Sequence, residues 1–389
     1  MQPVNRLYSI DVFRAVNMFF MIFVNDLSGV RNVPGWIEHV KANEDGLHFA
    51  DTIFPVFLFI AGLSVPLAIG RRLRRGEPVS KIMYYILLRA GGLIIMGFFH
   101  VNLENYNKEA LLPVGVWELL LTLSFFLIWL DYPAELSKAK KYFLMGAGIV
   151  ILIFLAAVYK GGSMQEPEGL RPYWWGILGI IGWAYLVSAG IFVLTKGKLL
   201  LLTGFLLVFI GLNISLHASF FDMKLWVIND GASISLMLLG VVISVIYNKM
   251  ALENNYSRLW FTLISIGTLL IIAGFAIRPY TEGISKIHST PAWVFICGGI
   301  GVLFFAMLIW LTDIKGNQNW FNVIKTAGTS TLTCYLLPYL IVAIFQITDF
   351  AYPHFLSNGI GGIFRSIAMA FIVILIAGFL EKKRLRLQL

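Results

Sequence analysis

Long apolar runs recur from one end of the chain to the other, separated by short charged or Gly/Pro-bearing breaks. Read against those breaks, the pattern places spans at 10–27, 50–70, 82–101, 111–131, 142–159 and 174–194 in the first half. The second half gives 199–218, 230–247, 259–277, 291–312, 324–347 and 361–380. A hydrocarbon core of about 30 Å takes about 20 apolar residues per helix. A transmembrane barrel would instead show segments of about 10 residues alternating in polarity, a pattern this chain lacks. The prediction is an all-α, polytopic integral membrane helical bundle of about 10–12 transmembrane helices, forming a single domain over residues 1–389. Asp11 and Arg14 interrupt the entry to the first run and no small-residue cleavage site follows, so it reads as a retained span and not a signal peptide.

Composition agrees with the pattern: 58% hydrophobic residues against 13% charged excludes an ordinary soluble domain. Net charge is +9, but the basic residues sit in turns between spans, which argues for topology and against a nucleic-acid partner. Of the 30 Lys and Arg, 19 fall in one set of alternate segments and eight in the other, with Arg14, Arg89 and Arg365 inside spans. The richer set includes Arg6, the cluster Arg71, Arg72, Arg74, Arg75 and the tail; the poorer set includes Lys41, Lys224 and Lys286. By the positive-inside rule both termini are cytoplasmic, and in a bacterial cell this is an inner (plasma) membrane protein whose poorer set faces the periplasm. Cys297 and Cys334 both fall within spans, so no disulfide framework or metal cluster is indicated.

One stretch departs from the apolar background. EHVKANEDGLHFADTIFP, residues 38–55, holds Glu38, Glu44, Asp45, Asp51, His39 and His48 between the first two spans. The non-apolar connection that contains most of it, Leu27 to Phe49, is about 22 residues long, and a loop of that length in a compact chain is functional or disordered. Glu44 and Asp45 read as loop charge. In the first span Arg14, Met18, Met21 and Asn25 fall on one helix face, with Arg14 and Asn25 about 16 Å apart. Asp11, three residues before Arg14, can pair with it. The stripe reads either as a functional track or as a snorkelling anchor with an interhelical hydrogen bond. His48 and Asp51 share a face of the second span, where Asp51 is either a helix cap or an orienting carboxylate. His39 is free to fold back over the end of the stripe at Asn25 and Asp26.

Weaker candidates are Asn102, Glu104 and Asn105 after the third span, His217 and Asp222 after the seventh, and Lys286 and His288 before the tenth. Glu118, inside the fourth span, requires a partner, for which Arg89 or a water-filled cavity would serve. The glycine cluster Cys297–Gly301 lacks a strand–turn–helix context and reads as helix packing. Nucleophile-elbow, phosphate-loop and zinc-protease motifs are absent.

RLYSIDVFRAVNMFFMIFVND, WIEHV and DGLHFADTIFPVFLFIAGLSVPLAIGRR together resemble the N-terminal signature of the heparan-alpha-glucosaminide N-acetyltransferase family, in particular its bacterial NagX-like branch. The resemblance implies an N-acetyltransferase, often a homodimer, that takes acetyl from cytosolic acetyl-CoA and delivers it to an amino sugar such as glucosamine across the membrane. Its active-site histidine corresponds to His39 and the VN asparagine to Asn25, with His48 a rival because the spacing to Asp51 is two residues longer. Where the lysosomal relative has a Gln-Arg pair in the fourth span, this chain reads Trp117-Glu118, so no arginine contact carries over there. On this reading His39 is the general base, Asn25 an oxyanion or substrate ligand, and Asp51 the orienter of His39. Asp26, His48, Glu118 and Lys286 line the acceptor side. Arg14, Asp11, Arg71 and Arg72 face the CoA phosphates, with acetyl-CoA as co-substrate and no metal. Direct transfer and an acetyl-histidine route both fit. A sugar transporter, or O-acylation of a glycan by the same machinery, is the competing function.

Overall fold

The computed structural model describes residues 8–163, 165–219, 226, 228–252, 255–317 and 319–389. Asp222, Arg6 and Lys224 lie outside the described residues. The helices, in order, are α1 (Tyr8–Leu27), α2 (Phe49–Arg74), α3 (Val79–Val101), α4 (Val114–Trp129), α5 (Lys138–Val158), α6 (Gly176–Leu194) and α7 (Leu199–His217). They continue as α8 (Ala232–Leu252), α9 (Tyr256–Ile277), α10 (Pro291–Leu308), α11 (Lys325–Thr329), α12 (Thr331–Thr348) and α13 (Gly359–Lys382). Every expected span is helical, and the eleventh is divided at Ser330, whose φ of −120° and ψ of 44° leave the helical region between α11 and α12. Among the described residues ten helices are long and apolar enough to cross a membrane. Of the remaining expected spans, α4 is apolar but only 16 residues long, and α1 carries Asp11, Arg14 and Asp26 within its 20 residues. The protein is therefore an all-α polytopic membrane bundle.

Contacts divide the chain into two compact units. The first comprises the opening half of α1 with residues 33–90 and 183–325. The second comprises the closing half of α1 with residues 18–32, 91–182 and 326–389.

In lipid, helices gain little from burying apolar surface against one another, so close backbone approach has to supply the contact. The first unit does this with glycine. A Cβ added at Gly62 of α2 would meet the Met237 carbonyl of α8, and one at Gly240 would meet the Phe59 carbonyl, so the two helices touch backbone to backbone. The glycine cluster of α10 works in the same way, as its sequence suggested. Gly299 leaves 2.6 Å between an added Cβ and the Gly267 carbonyl of α9, and Gly301 receives the Phe59 ring. Phe13 of α1 lies 5.2 Å from Phe304 and 6.3 Å from Phe59, seating the start of α1 against α2 and α10.

The second unit is pinned by polar contacts. Arg365 of α13 donates to the Asp26 carboxylate at 3.1 and 2.9 Å and to its carbonyl at 3.0 Å, and Ser366 adds a bond of 2.6 Å. The Trp117 indole of α4 donates to the Leu155 carbonyl of α5 at 3.2 Å. Tyr159 donates to the Asn102 carbonyl at 2.9 Å.

The α2–α8 contact makes a direct prediction. Gly62→Leu or Gly240→Leu forces backbone apart where no side chain can yield, costing about 1–3 kcal/mol or more. Thermal unfolding of the detergent-solubilised protein should shift to lower temperature for each variant, and a double Gly→Ala change at Gly35 and Gly169, exposed positions where an added Cβ meets nothing within 4 Å, should not reproduce the effect.

Candidate functional site

The site is assembled at the N-terminus of α2. A single helical turn at Gly35–Ile37 buries Ile37 and brings the chain back over the first turn of α2. Asp51 stands at the third position of that helix, and its side chain is only 4% exposed. A carboxylate so placed must be satisfied by donors. It has three: His39 Nδ1 at 2.7 Å, Val40 N–H at 3.0 Å and His48 N–H at 3.2 Å. The cap and the orienter are thus one group. Its Oδ2 atom ties down the backbone of His48 at the helix start, while Oδ1 takes the imidazole of His39.

Asp51 reaches His48 through the backbone and not through the ring. The His48 Nδ1 atom is buried without a hydrogen-bond partner among the described residues. His39 has the complementary environment, since its side chain is 43% exposed and one ring nitrogen is committed to a carboxylate. A neutral imidazole that donates from Nδ1 keeps its lone pair on Nε2. That nitrogen is therefore the basic atom of the pair.

Pro55 anchors the same turn. Proline has no N–H, so the carbonyl four residues earlier, that of Asp51, loses its helical donor. The Trp293 indole of α10 supplies the replacement at 3.1 Å, and Trp293 is 1% exposed. Asn17 of α1 adds a bond to the Ile53 carbonyl at 3.2 Å. The Asp51 turn is held from three sides.

A second loop, 281–290, brings Lys286 to this pair. Asp45 clamps it, accepting from the Ile284 N–H at 2.6 Å and from Arg278 Nε at 2.9 Å, while Gly46 N–H donates to the Ile284 carbonyl at 3.1 Å. Gly283 turns against this carboxylate with φ of 77°, a conformation favouring glycine. Glu282 meets His217 at 3.0 Å, and Asn213 donates to the Ser289 carbonyl at 3.1 Å. Lys286 Nζ then lies 3.4 Å from each ring nitrogen of His39. Burial pushes the Lys286 ammonium below the ordinary lysine value, against the upward pull of the Asp51 charge. Asp45, which reads as loop charge in the sequence, is a structural clamp; Glu44 is an exposed partner of Lys41 at 3.7 Å.

At the other end of α2 the basic residues differ among themselves. Arg72 is engaged by Glu77 at 2.8 Å and lies 4.0 Å above the Tyr85 ring. Arg71, Arg74 and Arg75 are exposed and form no ion pair among the described residues. Arg14 pairs with Asp11 at 3.4 Å, the expected neighbour, and also donates to Ser64 of α2 at 2.7 Å. Arg89 hydrogen-bonds Tyr85 at 3.2 Å and faces the Tyr185 ring at 5.3 Å.

The structure thus brings His39, Asp51, Lys286 and the His48 backbone together within the first unit. Asn25, Asp26 and Glu118 belong to the second. Asn25 is exposed near the end of α1, and its carbonyl accepts from Ser28 at 2.7 Å. Asp26 is held by Arg365, and Glu118 is 4% exposed in the second turn of α4. Trp293 and Ser64 escaped the sequence reading, and Arg365 was read only as a basic residue inside a span. A free carbonyl four residues before Pro55 was the one local signal that Trp293's partner exists.

Residues 6–107 match the family model described as heparan-alpha-glucosaminide N-acetyltransferase, catalytic. The segment is 37% identical over 102 residues to the mouse heparan-alpha-glucosaminide N-acetyltransferase, covering 26% of this chain and 15% of that protein. It is 37% identical over 101 residues to the human protein of the same name, covering 26% of this chain and 14% of the relative. The match includes α1 to α3 with His39 and Asp51, and stops short of Glu118 and Lys286.

The Asp45 clamp makes a pH-dependent prediction. Desolvation raises the Asp45 pKa, but the Ile284 N–H and Arg278 outweigh it and hold the carboxyl below its ordinary value. Its stabilising contribution is present above the unfolded value of about 4 and is lost as pH falls through the lowered folded value. Hydrogen exchange at Ile284 should be faster in Asp45→Asn than in wild type near neutral pH, by about threefold for a half-exposed pair. The two should converge once Asp45 is protonated.

Proposed function

We propose, from the match of residues 6–107 to the family model of the heparan-alpha-glucosaminide N-acetyltransferase catalytic region, that this chain is a transmembrane N-acetyltransferase. It moves acetyl from acetyl-CoA on the cytosolic side to the amino group of a glucosamine-like sugar on the periplasmic side of a bacterial inner membrane. The observation that carries this reading is the 2.7 Å bond from the buried Asp51 carboxylate to His39 Nδ1, which leaves a basic Nε2 on a half-exposed ring.

Amide formation from a thioester needs a neutral amine, a base for the proton it sheds, and donors for the tetrahedral oxyanion. His39 Nε2 takes the proton as the amine attacks. Asp51 keeps the imidazole in the Nδ1–H tautomer and stabilises the imidazolium that forms. Lys286, beside the ring, joins the acceptor side. His39 returns the proton to the departing CoA thiolate, closing the cycle.

On the donor side the exposed guanidinium groups of Arg71, Arg74 and Arg75 suit phosphates better than Arg72, which is already shared between Glu77 and Tyr85. Arg14, tied to Asp11 and Ser64, serves as a fixed positive charge near the start of α1.

Purified protein incubated with acetyl-CoA and glucosamine should release CoA thiol and acetylated sugar in equal amounts across about pH 6 to 8. His39→Ala should lower turnover by about 100-fold or more. Asp51→Asn should lower kcat by up to about 10⁴-fold through the wrong tautomer, while His48→Ala retains most activity. Full activity in His39→Ala with loss in His48→Ala would move the base to His48. Uptake of sugar into CoA-free vesicles without acetylation would replace the enzyme by a transporter.

A further inference from the structure

Lys286 and His39 are 247 positions apart in sequence, yet Nζ lies 3.4 Å from both ring nitrogens. That separation puts the amine within about hydrogen-bond reach of the ring, where a base can take its proton. The backbone that carries Lys286 is fixed by Asp45, Glu282 and Asn213, so the lysine is held beside His39 by the fold and not by chance approach. Its four-carbon stem leaves Nζ free to swing about the ring. An amine beside the base of an N-acetyltransferase stands where the acceptor's own amine must stand. Burial favours its neutral, nucleophilic form, as noted above.

We propose that Lys286 is a self-acetylation site: when no amino sugar is present, its side chain accepts the acetyl group from acetyl-CoA in the site of His39. The inference rests on the acetyltransferase reading. In the step a bond forms between Nζ and the carbonyl carbon, and the thioester C–S bond breaks. The proton lost by Nζ passes to His39 Nε2 and then to the thiolate, giving Nε-acetyl-lysine and free CoA thiol. Acetylation removes the nucleophilic amine beside the ring and fills the acceptor's place, so the modified chain is blocked toward sugar.

Lys41 supplies an internal control, because it lies in the same polar connection as His39 but is 84% exposed and paired with Glu44. The test is peptide mass spectrometry of the purified full chain after incubation with isotope-labelled acetyl-CoA, with and without glucosamine, and a parallel assay of acetylated sugar. Labelling of Lys286 should exceed that of Lys41 by about 100-fold, fall to the Lys41 level in His39→Gln, and be suppressed by glucosamine. Lys286→Arg should remove the label without affecting that on Lys41. Equal labelling of Lys286 in wild type and His39→Gln would show uncatalysed chemistry and overturn the inference. An unlabelled Lys286 alongside normal sugar acetylation overturns the inference alone; an unlabelled Lys286 with no sugar acetylation removes the acetyltransferase reading with it.

Discussion

A carboxylate that is 4% exposed at the start of a membrane helix is costly unless its oxygens are filled, and the geometry around Asp51 follows from filling them. Two of its three donors are backbone N–H groups of the connection between α1 and α2, and the third is the ring of His39. Satisfying the charge therefore folds the connection back onto α2 and selects the tautomer of the histidine in one step. The carbonyl of the same residue is freed by Pro55 and claimed by Trp293, which couples the turn to α10. One residue caps the helix, closes the loop, orients the imidazole and locks a neighbouring helix.

The rest of the first unit gives this arrangement a rigid base. Glycine contacts join α2 to α8 and α9 to α10 at backbone distance, a solution suited to lipid, where packing and not water exclusion drives association. Preorganisation of this kind matters for the proposed acyl transfer, since a base displaced by about 1 Å loses much of its advantage. The loop that carries Lys286 is stabilised in turn by Asp45, whose bonds to Ile284 and Arg278 join segments more than 200 residues apart.

Much of this architecture is legible in the sequence because a membrane imposes a length and a polarity on each helix. Every apolar run became a helix, and the break at Ser330 falls within a Thr- and Ser-rich stretch, AGTSTLT, that competes with helical hydrogen bonding. Asp51 was identified with its two roles undivided because its spacing from Pro55 is local. His39 was found by resemblance, since a loop histidine has no periodicity to mark it. The pairings that fix the site were not legible. Trp293 was not singled out, and Lys286 was named for the acceptor side without its partner; they lie 242 and 247 positions from the residues they meet, and no local pattern encodes such pairings. Asp45 read as loop charge for the same reason: its donors come from the far side of the chain.

The central claim is that the Asp51 carboxylate holds His39 in the Nδ1–H tautomer, with Nε2 as its basic atom. Nitrogen NMR of histidine-labelled protein tests it most directly, with His39 assigned by the signal lost in His39→Gln. The account predicts a protonated Nδ1 and a pyridine-like Nε2 at neutral pH, and loss of that tautomer bias in Asp51→Asn. A protonated Nε2 in the wild-type protein, or a spectrum indifferent to Asp51→Asn, would contradict it.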